Sequence, residues 1–226
     1  MQLVTNNFEV MHKYFIKTPW LVKKLFPNYM WTLPSTNREV YLTFDDGPHK
    51  EITPWVLNEL KQYNALASFF CIGKNVLQNP DVYQNILAQG HAVGNHTQNH
   101  LNGWKVNANE YINDIKEASK NIETNLFRPP YGRIKQKHLK GINAVMNNQC
   151  KIIMWDVLSG DFDRNISKEK CLQNVIENVE AGSIVVFHDS EKAYPNLKYV
   201  LPKVLQYLTD NKYSCSKIET GPILKN

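Results

Sequence analysis

Val40-Tyr41-Leu42-Thr43-Phe44-Asp45-Asp46-Gly47-Pro48 is an apolar, β-branched and aromatic run that stops at two adjacent carboxylates and a Gly-Pro turn. Working outward, similar short runs recur at Ala67–Cys71, His91–Asn95, Leu126–Arg128, Lys151–Val157, Ser183–His188 and Tyr213–Ile218. Between them lie helical patterns near 52–63, 80–89, 107–124, 135–147, 167–179 and 196–210. Ser167 ahead of Glu169 and Lys170 marks one helix start, and Pro80 with Asp81 opens another that runs to Gly90. Seven strands alternating with six helices predict an α/β architecture with a parallel sheet, read here as a distorted (β/α) barrel of about seven strands. Periodicity does not separate a closed barrel from an open sheet. In both, reactive groups gather at the carboxyl ends of the strands. Five such ends finish in ionisable residues: Asp45 and Asp46, His96, Arg128, Asp156 to Asp161, and His188.

The 226 residues fit one domain, placed at 39–226, and 42% hydrophobic with 21% charged residues is an ordinary globular composition. A net charge of +5, from 26 basic residues spread among 21 acidic ones, is no nucleic-acid footprint, and no nucleic-acid-binding motif is present. Cys71, Cys150, Cys171 and Cys215 form no CxxC pair, match no thiolate zinc spacing, and read as small apolar residues suited to a reducing compartment. Residues 1–38 form an N-terminal extension rich in aromatics, among them Phe8, Tyr14, Phe15, Trp20, Phe26, Tyr29 and Trp31. Lys13, Lys17, Lys23, Lys24 and Pro19 break every apolar run, so neither a secretory h-region nor a membrane span is visible. The expectation is that this extension packs on the barrel. The alternatives are that it lies on a membrane surface or covers a substrate groove. On sequence alone a monomer is expected, cytoplasmic or peripherally membrane-associated.

Two neighbouring carboxylates repel unless a cation separates their tasks, one binding it and the other staying free as a base. His96-Thr97-Gln98-Asn99-His100 supplies two imidazoles four residues apart. With Asp46 they make a two-nitrogen, one-oxygen set that leaves positions open, the catalytic pattern of coordination. Zinc is the first expectation, and cobalt, nickel, iron or manganese suit the same donors. In Arg128-Pro129-Pro130-Tyr131-Gly132 neither proline can donate, which makes the Tyr131 amide the first candidate oxyanion donor. Trp155 to Asp163 combines three acids with two aromatics, a composition suited to a sugar-binding wall with a carboxylate, Asp161, to orient Arg128 or a histidine. Ile184 to Asp189 carries His188 to a strand end, where it can protonate a leaving group.

Together these pieces resemble the polysaccharide deacetylase family with the NodB homology domain, carbohydrate esterase family 4. The resemblance runs from about Glu39 to Ile218. TFDDGP, HTQNH and RPPYG match its first three motifs in order and without gaps. Phe162 stands where the fourth motif usually has Trp, and Val185 where the fifth usually has Leu. Both keep an apolar surface, and both bear on the shape of the sugar groove and acetyl-methyl pocket. The resemblance implies that Asp46, His96 and His100 bind a metal that polarises an acetamide carbonyl and lowers the pKa of a water. It implies Asp45 as base, Tyr131 as oxyanion donor, His188 as acid, Arg128 orienting Asp45, and Asp161 tuning Arg128 or His188. Pro130, Tyr131, Phe162 and Val185 would line the substrate groove. The substrate would be an N-acetylglucosamine-containing carbohydrate, as peptidoglycan, chitooligosaccharide or surface polysaccharide, with acetate as product. The alternative is an amidase or deformylase of the same barrel type acting on a small or lipid-linked substrate.

Overall fold

The structure, a computed structural model, describes residues 14–35 and 37–219. Phe8 and Lys13 of the extension, and residues 220–226 of the expected domain, lie outside the described residues. In chain order the elements are α1 (Trp20–Leu25), β1 (Glu39–Asp45), α2 (Ile52–Gln62), β2 (Ala67–Cys71), α3 (Gly73–Gln78), α4 (Pro80–Ala88), β3 (Ala92–Asn95), α5 (Ala108–Ala118), β4 (Leu126–Phe127), α6 (Leu139–Val145), β5 (Lys151–Ile152), β6 (Val157–Leu158), α7 (Lys168–Ile176), β7 (Ile184–His188), α8 (Tyr194–Asp210) and β8 (Ser214–Cys215). Two 3-10 turns, Pro130–Gly132 and Gln136–His138, link β4 to α6.

Seven strands in the order β5-β4-β3-β2-β1-β7-β6, all paired parallel, curl into a half-barrel, and β8 adds beside the start of β1. The two helix starts read from the sequence, at Ser167 and Pro80, are present, and Asn107 caps a third. The Ser167 hydroxyl accepts from Lys170 N–H ahead of α7, Asn107 accepts from Glu110 N–H ahead of α5, and Pro80 opens α4.

Strand alternation divides the two faces of the sheet. Leu42 and Phe44 of β1 point outward, where the Phe44 ring stacks on Phe69 of β2 and Phe187 of β7 at 5.1 and 5.8 Å. α2 and α8 cover this layer with Val56, Leu57, Leu60, Leu197, Leu201 and Val204, all buried. Thr43 and Asp45 point the other way, into the half-barrel. Its floor is an apolar plug of Tyr41, Phe70, Ala92, Leu126, Ile153 and Ile184. Above that plug sits the wholly buried Arg128, its guanidinium 4.0 Å from the Phe70 ring centroid.

The expected strand Lys151–Val157 is two short strands, and the reason lies in barrel closure. Lys151 and Ile152 pair with β4, whereas Val157 and Leu158 pair with β7. One stretch of chain therefore crosses from one sheet edge to the other. The N-terminal segment fills the seam: Met30 N–H donates to Ile152 O, Met154 N–H to Met30 O, Thr18 N–H to Asp156 O and Leu158 N–H to Ile16 O. Exposed edge groups at β5 and β6 are thus satisfied by residues 16–30. The buried Asp156 carboxylate locks the arrangement, taking bonds from Lys17 (2.6 Å), Lys23 and Ser183. α1 buries none of its own residues against the barrel. Among the described residues no helix is long and apolar enough to cross a membrane, and the four cysteines are free thiols.

Candidate active site

The turn after β1 is built around Gly47. Its N–H donates to Asp189 Oδ1 at 3.0 Å, and a Cβ there would fall 2.1 Å from Asp189 Oδ2, so no larger residue fits. Thr53 holds the other Asp189 oxygen, and burial outweighs both bonds to push that carboxyl up to about 7. The same turn forces Asp46 to a left-handed φ of 79°. His100 (φ 57°) and Tyr131 (φ 60°) share this sparsely allowed region. Backbone strain in a non-glycine residue persists only where surrounding structure over-determines it, and three of the nine such residues among those described face one cavity.

The loop carrying both histidines is fastened from beneath. Asp114 of α5 accepts from Gln98 N–H, Asn99 N–H and the Asn99 amide, while Asn95 Oδ1 accepts from Thr97 N–H. His96 Nδ1–H donates to Arg128 O at 2.8 Å, which leaves Nε2 as the lone-pair nitrogen. That Nε2 lies 3.9 Å from Asp46 Oδ1, and His100 Nε2 lies 3.2 Å from the same oxygen. One ligand atom from each residue falls within 4.8 Å of the others. The Asp46 oxygen is buried and, despite this proximity, accepts no hydrogen bond. Three ligand atoms converging this closely, with only the His100 contact approaching hydrogen-bond distance, fit a divalent cation. Charge supports the fit. Burial alone would raise Asp46, but His100, His188 and His96 outweigh it and hold the carboxyl well below its usual range. Burial lowers His96 to about 4, so the imidazole stays neutral. A cation requires both of these protonation states.

Two further pairs flank the triad. Arg128 donates from Nη1 to Asp45 Oδ1 (2.6 Å) and Thr43 Oγ1 (2.8 Å), and from Nε and Nη2 to the carbonyls of Ile153 and Met154. His188 Nδ1 lies 2.8 Å from Asp161 Oδ1, and His188 N–H donates to Asp161 Oδ2 at 2.7 Å. The sequence left open which residue Asp161 serves. It is His188, while Arg128 serves Asp45. Burial would lower His188, but Asp161 prevails and raises it to about 9. The Tyr131 N–H has no acceptor among the described residues, whereas the next two amides return to Pro129 and Pro130 carbonyls.

Asp45, Asp46, His96, His100, Tyr131 and His188 line one cavity of about 370 Å³, with Phe162 packed edge-on to His188 at 5.1 Å. Two expected groove residues are placed elsewhere. Val185 is fully buried on the helix-covered face, because side chains alternate along β7, and Val186 lines the cavity in its place. Pro130 is buried within its 3-10 turn and shapes the backbone without lining the cavity. Asp156, grouped by sequence with the active strand ends, anchors the N-terminal segment. Trp155 and Leu158, from the run read as a sugar-binding wall, also line the cavity, and Tyr14, Arg133, Ser190 and Lys192 complete the lining without having been singled out as site residues. Gly132 of the RPPYG motif carried one usable signal: at φ 64° a Cβ would fall 2.7 Å from the Trp155 ring, so that glycine marks a close ring contact.

A family model described as polysaccharide deacetylase matches residues 33–147. A peptidoglycan-N-acetylglucosamine deacetylase of Bacillus cereus is 33% identical over 195 residues, a match covering 83% of this chain and 70% of the relative. A chitooligosaccharide deacetylase of Azorhizobium caulinodans is 32% identical over 157 residues, covering 66% of this chain and 73% of the relative. Among solved structures, a peptidoglycan N-acetylglucosamine deacetylase in complex with 4-naphthalen-1-yl-N-oxidanyl-benzamide aligns with a TM-score of 0.78 at 30% identity, over 89% of this chain and 95% of that one.

Proposed function

The chain belongs to the polysaccharide deacetylase family, carbohydrate esterase family 4, and from that premise we propose that it hydrolyses the N-acetyl group of N-acetylglucosamine units in peptidoglycan. The observation that carries this reading is the convergence of a three-residue cation site, an Arg-held carboxylate and an Asp-held imidazole on one cavity.

Asp46, His96 and His100 would hold a divalent cation, zinc first. When bound, it supplies Lewis-acid polarisation of the amide carbonyl and a more acidic water. Asp45, aimed by its hydrogen bond from Arg128, takes the proton from the attacking water. The Tyr131 N–H faces the oxygen on which negative charge develops, and pre-organised donors of this kind lower the barrier most. His188, protonated at neutral pH through its contact with Asp161, gives its proton to the departing amine. Water and amide are consumed, and acetate and a free amino sugar leave. Phe162 and Val186 bound the space beside His188 where the acetyl methyl fits.

The test is acetate release from N-acetylated peptidoglycan fragments and from chitooligosaccharides, with chelator and with zinc or cobalt restored. Metal-dependent acetate release from the peptidoglycan fragments is the expected result. Release from chitooligosaccharides alone would favour the second reading, supported by the Azorhizobium relative. No acetate from either would overturn both.

A further inference from the structure

We propose that residues 72–75, at the junction of β2 and α3, and the Asp189 carboxylate form a clamp that sets the spacing between Asp46 and the two histidines, with Asn75 and Asp189 as positioning residues for cation affinity; this rests on the three-residue cation site. Asp46 stands on the loop after β1, whereas His96 and His100 stand on the loop after β3. The spacing of the ligand set therefore depends on what joins these two loops, and β2 lies between them in the sheet.

Four consecutive residues past β2 reach both ways. On the aspartate side, Ile72 N–H donates to Gly47 O at 2.9 Å and Asn75 Nδ2 donates to Asp46 O at 2.7 Å. On the histidine side, Gly73 N–H donates to Thr97 O at 2.9 Å and Lys74 N–H to Gln98 O at 3.1 Å. The first amides of a helix have no partner within it, and those of α3 take the loop carbonyls. Residue 73 has no room for a side chain, since a Cβ there would fall 2.0 Å from Gln98 Oε1 and 3.0 Å from Ala118 Cα.

Two of the carbonyls so held belong to strained residues. Asp46 (φ 79°) and Thr97 (φ 65°) are left-handed without being glycine, a conformation that persists where neighbours over-determine it. Asn75 does this for Asp46, and Gly73 for Thr97. Asp189 grips the aspartate turn as well: its N–H donates to Asp45 O at 3.1 Å, its Oδ1 accepts from Gly47 N–H at 3.0 Å, and its Oδ2 accepts from Thr53 Oγ1. The bonds that Asn75 and Asp189 make to the turn all end on main-chain atoms, so both residues place the Asp46 carboxylate through its backbone. A turn released toward ordinary φ would carry that carboxylate away from the histidines, whose loop Asp114 and Asn95 keep fastened.

The experiment is a zinc titration of metal-stripped protein in competition with a chromophoric chelator. The visible absorption of the cobalt-loaded protein gives a second readout, sensitive to ligand geometry and independent of turnover. Asn75→Leu keeps the volume and removes the donor; it should raise the zinc Kd by about tenfold and shift the cobalt bands. Asp189→Ala should act in the same direction, whereas Asp189→Asn, which retains an acceptor for Gly47 N–H, should restore most of the affinity. Asn75 is only partly buried, so its variant decides the matter even if Asp189→Ala does not fold. Thr124→Ala controls for general destabilisation. Thr124 bonds Val93 O and Leu126 N–H at the amino ends of the strands, and its loss should lower Tm without moving the Kd. A zinc Kd and cobalt spectrum unchanged in Asn75→Leu, or a Kd that rises equally in Thr124→Ala, would overturn the clamp while leaving the cation centre standing. Failure of the unaltered protein to bind either ion would overturn both. Affinities that respond as expected, with no acetate from any substrate, would support the clamp and remove the deacetylase reading instead.

Discussion

Arg128 is wholly buried, and its Nη1 lies 2.6 Å from Asp45 Oδ1. A guanidinium without solvent needs partners for its nitrogens, and Asp45, Thr43 and the carbonyls of Ile153 and Met154 give each of the three at least one. The proposed base is thus aimed by a residue whose own position is fixed by four bonds. Lysine cannot reproduce that fork. Arg128→Lys should lower kcat by about a hundredfold through misplacement of Asp45. Asp45→Asn should lower it by about 10³-fold or more, with bound metal unchanged in elemental analysis. Near-normal turnover in Asp45→Asn would remove this residue from the role of base.

The Asp161 contact governs the proton on His188. With His188 raised to about 9, the imidazole is protonated through neutral pH and loses its proton as the pH climbs past that value. Activity that needs a protonated His188 should decline on the alkaline side. In Asp161→Asn the largest influence opposing burial is gone and only the more weakly acting Asp46 and Asp45 remain, so the alkaline limb of the kcat profile should move to lower pH. A limb that stays in place would mean another group donates the proton.

Asp156 ties the N-terminal segment to the barrel. Burial would raise its carboxyl, but the bonds from Lys17, Lys23 and Ser183 outweigh burial and lower it. Asp156→Asn should cost about 2–3 kcal/mol, the scale of lost hydrogen bonds to a charged group. It should also make residues 14–34 cleavable by protease under conditions where the unaltered chain resists. Unchanged proteolysis would show that the backbone bonds at the seam suffice.

His91 lies outside the cavity and reports on the fold. It is buried, its Nδ1 accepts from Ala67 N–H, and burial first and Lys217 second lower it to about 4 from 6.5. Below pH 6.5 the unfolded chain takes up a proton that the folded chain refuses. Stability is therefore complete above 6.5 and is lost as pH falls toward 4. The contribution is on the order of 3 kcal/mol. His91→Asn, which keeps an acceptor for Ala67 N–H, should flatten the dependence of Tm on pH between 4 and 6.5. An unaltered slope would assign acid sensitivity to other groups.

The parallel order of the strands and the position of the site at their carboxyl ends were legible because each apolar run ends in residues that chemistry uses. Asp45, Asp46, His96, His100, Arg128, Tyr131 and His188 were all recognisable as candidates, and the structure brings all but Arg128 to the cavity wall, with Arg128 directly behind Asp45. What the sequence hid depends on long-range pairing. α3 has six residues, no side-chain cap and little apolar periodicity, so no local signal announced it. The break between β5 and β6 reflects backbone bonds to Met30 and Thr18, more than 120 positions away. Asp156 and Asp161 look alike in one short run, yet one faces two lysines and the other His188. Val185 and Val186 are chemically identical neighbours, and only the facing of β7 tells which of them meets the cavity.

Everything proposed for the chemistry depends on Asp46, His96 and His100 sharing one cation. The most direct test is anomalous diffraction from crystals soaked in cobalt or zinc, with His96→Ala and His100→Ala crystals treated alike. One strong peak should appear in the unaltered protein, within bonding distance of an Asp46 carboxylate oxygen and both Nε2 atoms, and it should vanish or weaken greatly in each variant. A peak elsewhere, or one that persists at the same occupancy without either histidine, would contradict the proposed centre.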